Sequence, residues 1–461
     1  MIQDFRPYYH FTPPANWMND PNGMIFYGGS YHLYYQYHPK SAVWGPMHWG
    51  HAMSRDLIHW DHLPVAIFPD HNGMIFSGSV VYDKENSSGL FENGGGLVAI
   101  FTQHLERDGQ MPIQQQSIAY SLDEGLSYIP YTGNPVIKNT EIEHFRDPKV
   151  FWYQPTNRWV MVMAGGVIRI FTSANLIDWK LESEYPEYFS ECPDLFPLKE
   201  ESGTERWVLN LGGVSYVIGR FDGSHFFAET PMLQLNYGPD CYSTMSFNDE
   251  PLGRRIMLNC MTSFKLPNWG YAALTPTYPW RTAMTVPVEL GLSTSPEGDI
   301  IMTQRPIKEI ADYLDKTITK HRFHLEEGEK RRISTNDGPQ KIVLDCDMCE
   351  DGILSISILN YNEFSTQVVC DMKSGSLILN RKNSGLIDFH PAFADEYKAP
   401  LIHKNGRLHL EILIDTCSVE VFCGEISCVT CLVFPPKESR DIILFTNKLC
   451  GKIELSVSQP E

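Results

Sequence analysis

The chain has 461 residues, 43% of them hydrophobic, and its 56 acidic against 37 basic side chains leave a formal net charge of −19. Such a surplus repels a phosphate backbone, which excludes nucleic acid as the natural partner and leaves neutral ligands open. No apolar run nears the roughly 20 residues of a membrane-spanning helix, and at about 150 residues per domain the length alone suggests three domains.

The N-terminus, MIQDFRPYYHF, lacks the basic start and apolar stretch of a secretory leader, so with Met1 as the native start a cytoplasmic protein is expected. The 11 cysteines are odd in number and fall mostly in strand-like segments, as buried free thiols do. Cys346 and Cys349, and Cys428 and Cys431, have a zinc-like spacing. Residues three apart on a strand point to opposite faces, however, so both pairs read as core filling and no metal site is expected.

Through about residue 300 the pattern is short β-like runs broken by Gly, Pro, Asn and Asp. Aromatics are dense, as in Tyr31, Tyr34, Tyr35 and Tyr37, or Phe151, Trp152 and Tyr153. A weak repeat runs through this region: Ser54-Arg-Asp56-Leu57-Ile58-His-Trp60 returns as Ser173-Ala-Asn175-Leu176-Ile177-Asp-Trp179. Degenerate copies stand at Ser121–Tyr128 and at Phe221–Phe226. One polar turn and plugging aromatic per four-stranded unit is the pattern of a β-propeller. Gln304 to Leu314 changes texture, with Pro306 at a helix start and apolar residues at helical spacing. Beyond it strands resume at regular intervals and suggest a β-sandwich. The expected organisation is a propeller over residues 1–303, a linker with a short helix over 304–322 and a sandwich over 323–461.

Three acidic clusters stand among these strands. Asp20 lies in Asn16-Trp17-Met18-Asn19-Asp20-Pro21-Asn22-Gly23, where Asn22-Gly23 predicts a turn and Trp17 and Met18 supply the apolar walls that tune a carboxylate. Asp147 follows Arg146 and precedes Pro148, which predicts an extended backbone at Asp147, and neighbours on a strand point to opposite faces, so Arg146 need not pair with it. Glu191 precedes Cys192 and Pro193, and such apolar neighbours predict the raised pKa of a general acid.

Together these clusters resemble family 32 of the glycoside hydrolases, the invertases, inulinases and levanases. Asn19-Asp20-Pro21-Asn22-Gly23, Arg146-Asp147-Pro148 and Glu191-Cys192-Pro193 are similar to its three motifs. Gln36 in its Tyr-rich run, Trp44 to His51, Phe76-Ser77-Gly78-Ser79 and Asp415 to Phe422 agree as well, so the resemblance covers the chain from about residue 6 onward. It implies an all-β protein with a five-bladed propeller followed by a C-terminal β-sandwich. It implies a retaining exo-β-fructofuranosidase that releases terminal fructosyl units of sucrose and short fructo-oligosaccharides through a fructosyl-enzyme. In that scheme Asp20 is the nucleophile, Glu191 the acid and base, and Asp147 the transition-state stabiliser. Asn19, Gln36, Trp44, Phe76, Ser77 and Arg146 would line the fructose pocket.

The sequence departs from the family on the leaving-group side. Asp240 and Tyr242 stand where the pattern has them, and Asp240 is expected to bind substrate, but Ser243 and Met245 replace the usual residues. Fructosyl transfer, inulin or levan hydrolysis and sucrose-phosphate hydrolysis are therefore alternatives, the last needing a basic residue such as Lys149, Lys265 or Arg281 by the leaving glucose. A propeller that only binds sugar is a remote alternative, because it would have no use for a nucleophile and an acid. The resemblance implies no cofactor and no metal, a small carbohydrate as the only required partner, and a second domain that braces the first and could form a homodimer.

Overall fold

The computed structural model describes residues 4–263, 266–295 and 298–460. Five sheets follow one another along residues 16–306. The first runs Asn16–Tyr27, Ser30–His38, His48–Ser54, Trp60–Ile67, and the late segment Trp280–Arg281 adds to its Asn16–Tyr27 edge in parallel. The next four begin with Met74–Asp83, Arg146–Tyr153, Pro193–Lys199 and Tyr242–Ser246. Each opening strand contacts the opening strand of the next sheet, and that of the fifth contacts that of the first. The five opening strands thus close a ring, and four of them carry or adjoin the acidic clusters and the Tyr242 segment.

The sequence repeat has a simple structural meaning. Each copy is the turn between the third and fourth strands of a sheet, in the first four sheets. In the first copy the Leu57 amide donates to Ser54 Oγ (2.8 Å), the Ile58 amide to Asp56 Oδ1 (2.9 Å), and the Trp60 indole to the Leu57 carbonyl (3.2 Å). The second copy repeats this with Ile177 on Asn175 Oδ1 (3.1 Å) and Trp179 on the Leu176 carbonyl (2.9 Å). Leu57 and Leu176 share a left-handed backbone, φ 64° and 63°, which the Ser and Asx side chains hold by satisfying the turn's amides.

The strand Ile300–Pro306 ends the fifth sheet, the helix Lys308–Leu314 follows, and Thr317–Leu325 opens the second layered unit. The helix is shorter than its periodicity suggests because Gln304 and Pro306 pair with Leu290 and Val288 as the tail of that strand. Two sheets then face each other, one centred on Gln340–Asp347 and Arg407–Asp415, the other on Ile353–Tyr361 and Phe364–Asp371. Alternate residues of these strands, such as Ile342, Leu344, Ile356, Val368 and Leu410, fill one apolar core between the sheets. Cys346, Cys428 and Cys431 are buried free thiols, whereas Cys349 is exposed and fills no core. Among the described residues no group of His, Cys, Asp and Glu could hold a metal ion, and no helix is long and apolar enough to cross a membrane.

The strand Ser418–Cys423 is buried on both faces. Val419 and Val421 enter the sandwich core while Phe422 joins the cluster of the first unit. Glu420 shares that junction with Asp415 and His10: His10 Nδ1 meets Asp415 Oδ2 and Nε2 meets Glu420 Oε2, both at 2.8 Å. Asp415 also accepts from the Tyr8 and Tyr9 amides at 2.9 and 3.1 Å. Despite complete burial, which opposes charge, these two carboxylates raise the His10 pKa to about 9.

Candidate active site

The Asn16–Tyr27 strand does not turn at Asn22-Gly23 but continues with two register shifts, the first between Met18 and Pro21. That bulge surrounds Asn19 and Asp20 and re-aims their side chains, as bulges beside functional sites do. Gly23 instead serves close packing. It has φ 54°, and a Cβ there would lie 2.6 Å from Tyr34 and 2.9 Å from Val80.

Asp20 is held on both oxygens. Ser77 Oγ donates to Oδ2 at 2.6 Å and Asn19 Nδ2 to Oδ1 at 3.0 Å, with Asn19 itself fixed by the Trp17 indole at 2.8 Å. The Cys192 thiol lies 3.6 Å from the same Oδ2 and 3.2 Å from Ser243 Oγ. Burial and the surrounding carboxylates push that thiol's pKa well up, so it is an inert spacer and not a nucleophile.

Asp147 differs from its sequence expectation. Its φ is 65°, left-handed and not extended. Its amide donates to Thr102 Oγ1 (3.1 Å) and its Oδ2 accepts the Cys192 amide (3.0 Å), so hydrogen bonds over-determine a conformation that Pro148 disfavours. Arg146 Nε stands 3.8 Å from the same Oδ2, because the left-handed residue removes the alternation that would have separated the two side chains. His144, Cys192, Ser243 and Thr282 also have positive φ, so backbone strain gathers around this site.

Glu191 reverses a second expectation. Burial alone would raise its pKa, but the Arg146 charge, a short hydrogen bond from Arg146 to Oε1 and one from the Tyr242 hydroxyl to Oε2 (2.7 Å) hold it below the usual glutamate value. The carboxyl that is raised is Asp147. Burial lifts it to about 7 against the pull of Arg146, with the charges of Asp20 and Glu191 adding to the rise. Three carboxyls and one guanidinium therefore share one cleft, and Arg146 favours the charged form of Glu191 over that of Asp147.

A cleft of about 270 Å³ is lined by Asn19, Asp20, Gln36, Trp44, Phe76, Ser77, Arg146, Asp147 and Glu191, nine of the ten residues singled out from sequence. Phe76 forms one wall, stacked on His104 at 4.3 Å between ring centres and 10° between planes, with Trp44 edge-on to it at 6.3 Å. Asp240 is the exception. It is fully buried where the two units meet, paired with Arg381 and accepting from the Tyr271 hydroxyl and the Leu432 amide (2.8 Å), so it holds the second unit to the first and does not line the cleft.

Two of the three candidate phosphate cations also lie elsewhere. Lys149 Nζ is bonded to the Ser246 carbonyl (2.5 Å), and Arg281 is spent on the carbonyls of Ala273 (2.9 Å) and Trp280 (2.8 Å). Lys265 and its neighbour Phe264 lie outside the described residues. The cleft instead contains residues that sequence reasoning passed over: His104, Gln114, Cys192, Ser243 and Trp269, with Tyr242 behind Glu191. Cys192 and Tyr242 stood inside recognisable motifs. His104 and Gln114 sit in ordinary strand patterns, on the second and third strands of their sheet, and carry no signal of their own.

Comparison with known proteins agrees with this geometry. The model of the glycosyl hydrolases family 32 N-terminal domain matches residues 10–306, and the family 32 C-terminal model matches residues 313–458. A levanase of Bacillus subtilis is 41% identical over 478 residues, covering 96% of this chain and 68% of the levanase. An extracellular exo-inulinase of Aspergillus ficuum is 33% identical, covering 95% of this chain and 91% of its own. Among solved structures, exo-inulinase from Aspergillus awamori superposes with a TM-score of 0.92 at 32% identity, covering 100% of this chain and 99% of that one. With both family models matching end to end around a site of this make-up, the chain belongs to family 32 of the glycosyl hydrolases and is a glycoside hydrolase.

Proposed function

We propose that the protein is a retaining exo-β-fructofuranosidase, built as a five-bladed propeller and a sandwich, that removes the terminal fructosyl unit of sucrose, fructo-oligosaccharides and fructan chains. The observation that carries this reading is the meeting of Asp20, Asp147 and Glu191, delivered by three sheets, in one small cleft. At about 270 Å³ the cleft is below the roughly 300–1,000 Å³ typical of drug-sized ligands, which suits one furanose ring with its aglycone at the mouth. The five sheets and their closed ring of opening strands support five blades. The levanase and exo-inulinase relatives support fructan chains among the substrates.

In this reading Asp20 attacks the anomeric carbon as the glycosidic bond breaks, and Glu191 gives its proton to the departing oxygen. Water then attacks the same carbon, its proton passing to Glu191 and the carboxylate of Asp20 leaving. Asp147, aligned by the Cys192 amide, hydrogen-bonds ring hydroxyls and steadies the positive charge of the oxocarbenium-like state. Before substrate enters, Glu191 is engaged by Arg146. Sugar hydroxyls that draw Arg146 away, and water excluded by the ring, return Glu191 to the protonated form that an acid needs. Glu106 and Glu143 on the cleft wall oppose a phosphorylated leaving group, so unphosphorylated sucrose is preferred.

The test is turnover of Asp20→Ala on sucrose, kestose, inulin, levan and sucrose phosphate. A loss of at least about a thousandfold on every fructoside, with melting unchanged, is expected. Near-normal rates would remove Asp20 from the mechanism.

A further inference from the structure

A second and larger cleft, about 480 Å³, opens at the other end of the same strands. The strand Arg146–Tyr153 places Arg146 and Asp147 in the catalytic cleft and Phe151, Trp152 and Tyr153 in this one. Met74–Asp83 does likewise, with Phe76 and Ser77 at one end and Val81 and Tyr82 at the other. At about 3.3 Å per residue, Asp147 and Trp152 are roughly 17 Å apart along the strand. Nothing in the catalytic scheme uses this cavity.

Its chemistry is specific. Trp152 keeps 40% of its surface exposed. It is nevertheless fixed in place, edge-on to Trp159 with centres 5.0 Å apart, its indole N–H donated to Gln154 Oε1 at 2.9 Å. A held aromatic face with a polar rim is a stacking platform that costs little ordering entropy. Around it stand Arg255 and two exposed carboxylates, Asp249 and Glu205, while Lys149 lies buried beneath, bonded to the Ser246 carbonyl and paired with Asp194. The signs are mixed around the platform, so no strong anion site is built in, while an apolar ligand would strip water from the Asp249 and Glu205 carboxylates without replacing it. Among the described residues Asp249 forms no hydrogen bond or ion pair, although the fields of Lys149 and Arg255 act on it, so its carboxylate remains available as an acceptor. The ligand that satisfies all of this is neutral, rich in hydroxyls and flat on one ring face.

We propose that this cleft is a non-catalytic binding site for a neutral saccharide chain, a fructan in this enzyme, which tethers polymer to the protein and raises the local concentration of chain ends. The choice of fructan rests on the function proposed above; the neutral-saccharide chemistry follows from the cleft alone.

Native electrophoresis through gels containing levan or inulin tests it, with the Asp20→Ala chain to prevent digestion and excess fructose to occupy the catalytic cleft. Retardation is expected, and adding Trp152→Ala should weaken it about tenfold, the loss usual for an aromatic anchor, while Trp152→Phe keeps most of it. In the otherwise native chain Trp152→Ala should leave sucrose turnover unchanged, which also reports correct folding, and raise KM on polymeric fructan. Equal retardation of the Asp20→Ala chain with and without Trp152→Ala, or no retardation at all under saturating fructose, overturns the proposal. Failure of the parent protein to hydrolyse any fructoside would instead overturn the function proposed above.

Discussion

Asp147 and Glu191 compete for one guanidinium, and that competition sets where a proton sits in the empty site. Arg146 lies against both, but it hydrogen-bonds Glu191, which also accepts from the Tyr242 hydroxyl at 2.7 Å, whereas it stands 3.8 Å from Asp147, which accepts the Cys192 amide at 3.0 Å. Glu191 is accordingly held down while Asp147, buried and flanked by two carboxylates, rises to about 7. Tyr242→Phe removes a hydrogen bond to the charged form of Glu191, so the Glu191 pKa rises and it stays protonated to higher pH. The basic limb of the kcat/KM profile should move up by about one pH unit. A uniform drop in rate with an unmoved limb would make Tyr242 a packing residue only. The three carboxyls proposed as catalytic were legible in the sequence because short motifs surround them. Their ionisation was not, because it depends on Arg146 and Tyr242, and only the folded chain shows where their donors point.

Elements that join the two units are held by charge as well as by packing. His10, cationic between Asp415 and Glu420, links the N-terminal segment to the strands Arg407–Asp415 and Ser418–Cys423. Its folded pKa of about 9 lies above its ordinary 6.5, so its stabilisation is complete below about pH 6.5 and disappears as pH rises through 9. Asp415 has the opposite sign: its pKa is lowered, so its contribution is present above 3.8 and is lost as pH falls further. Thermal melts of His10→Gln against the parent should differ most near pH 6 and converge toward pH 10; a constant gap would mean that shape, not charge, matters there. Asp240 answers to the same rule. Asp240→Ala leaves Arg381 charged and unpaired in the interior, which should cost about 3–5 kcal/mol in denaturant unfolding while KM of the folded fraction stays unchanged. A raised KM with normal stability would restore Asp240 to the substrate site. The family resemblance placed it there because Asp240 stands where the pattern has an acidic residue; on the strand's approach Asp240 and Tyr242 serve different neighbours.

At the scale of the molecule, a ring of opening strands brings residues far apart in sequence to one axis. The proposed catalytic side chains occupy one end of those strands and the aromatic cleft the other. The repeat marked two sheets clearly and two more faintly in the sequence, because each turn must satisfy its own amides with Ser and Asx side chains. The fifth sheet lacks that turn motif, and the strand Trp280–Arg281, which joins the first sheet from far along the chain, leaves no local pattern to read.

The central claim, that Asp20 forms the covalent bond to fructose, is most directly tested with Glu191→Gln and β-fructosyl fluoride. Fluoride leaves without an acid, but deglycosylation lacks its base, so the intermediate should accumulate. Mass spectrometry of the quenched, digested protein should find one fructosyl group on the peptide containing Asp20. A fructosyl group on any other peptide, or turnover of the fluoride to fructose of inverted configuration with no adduct, would contradict the account.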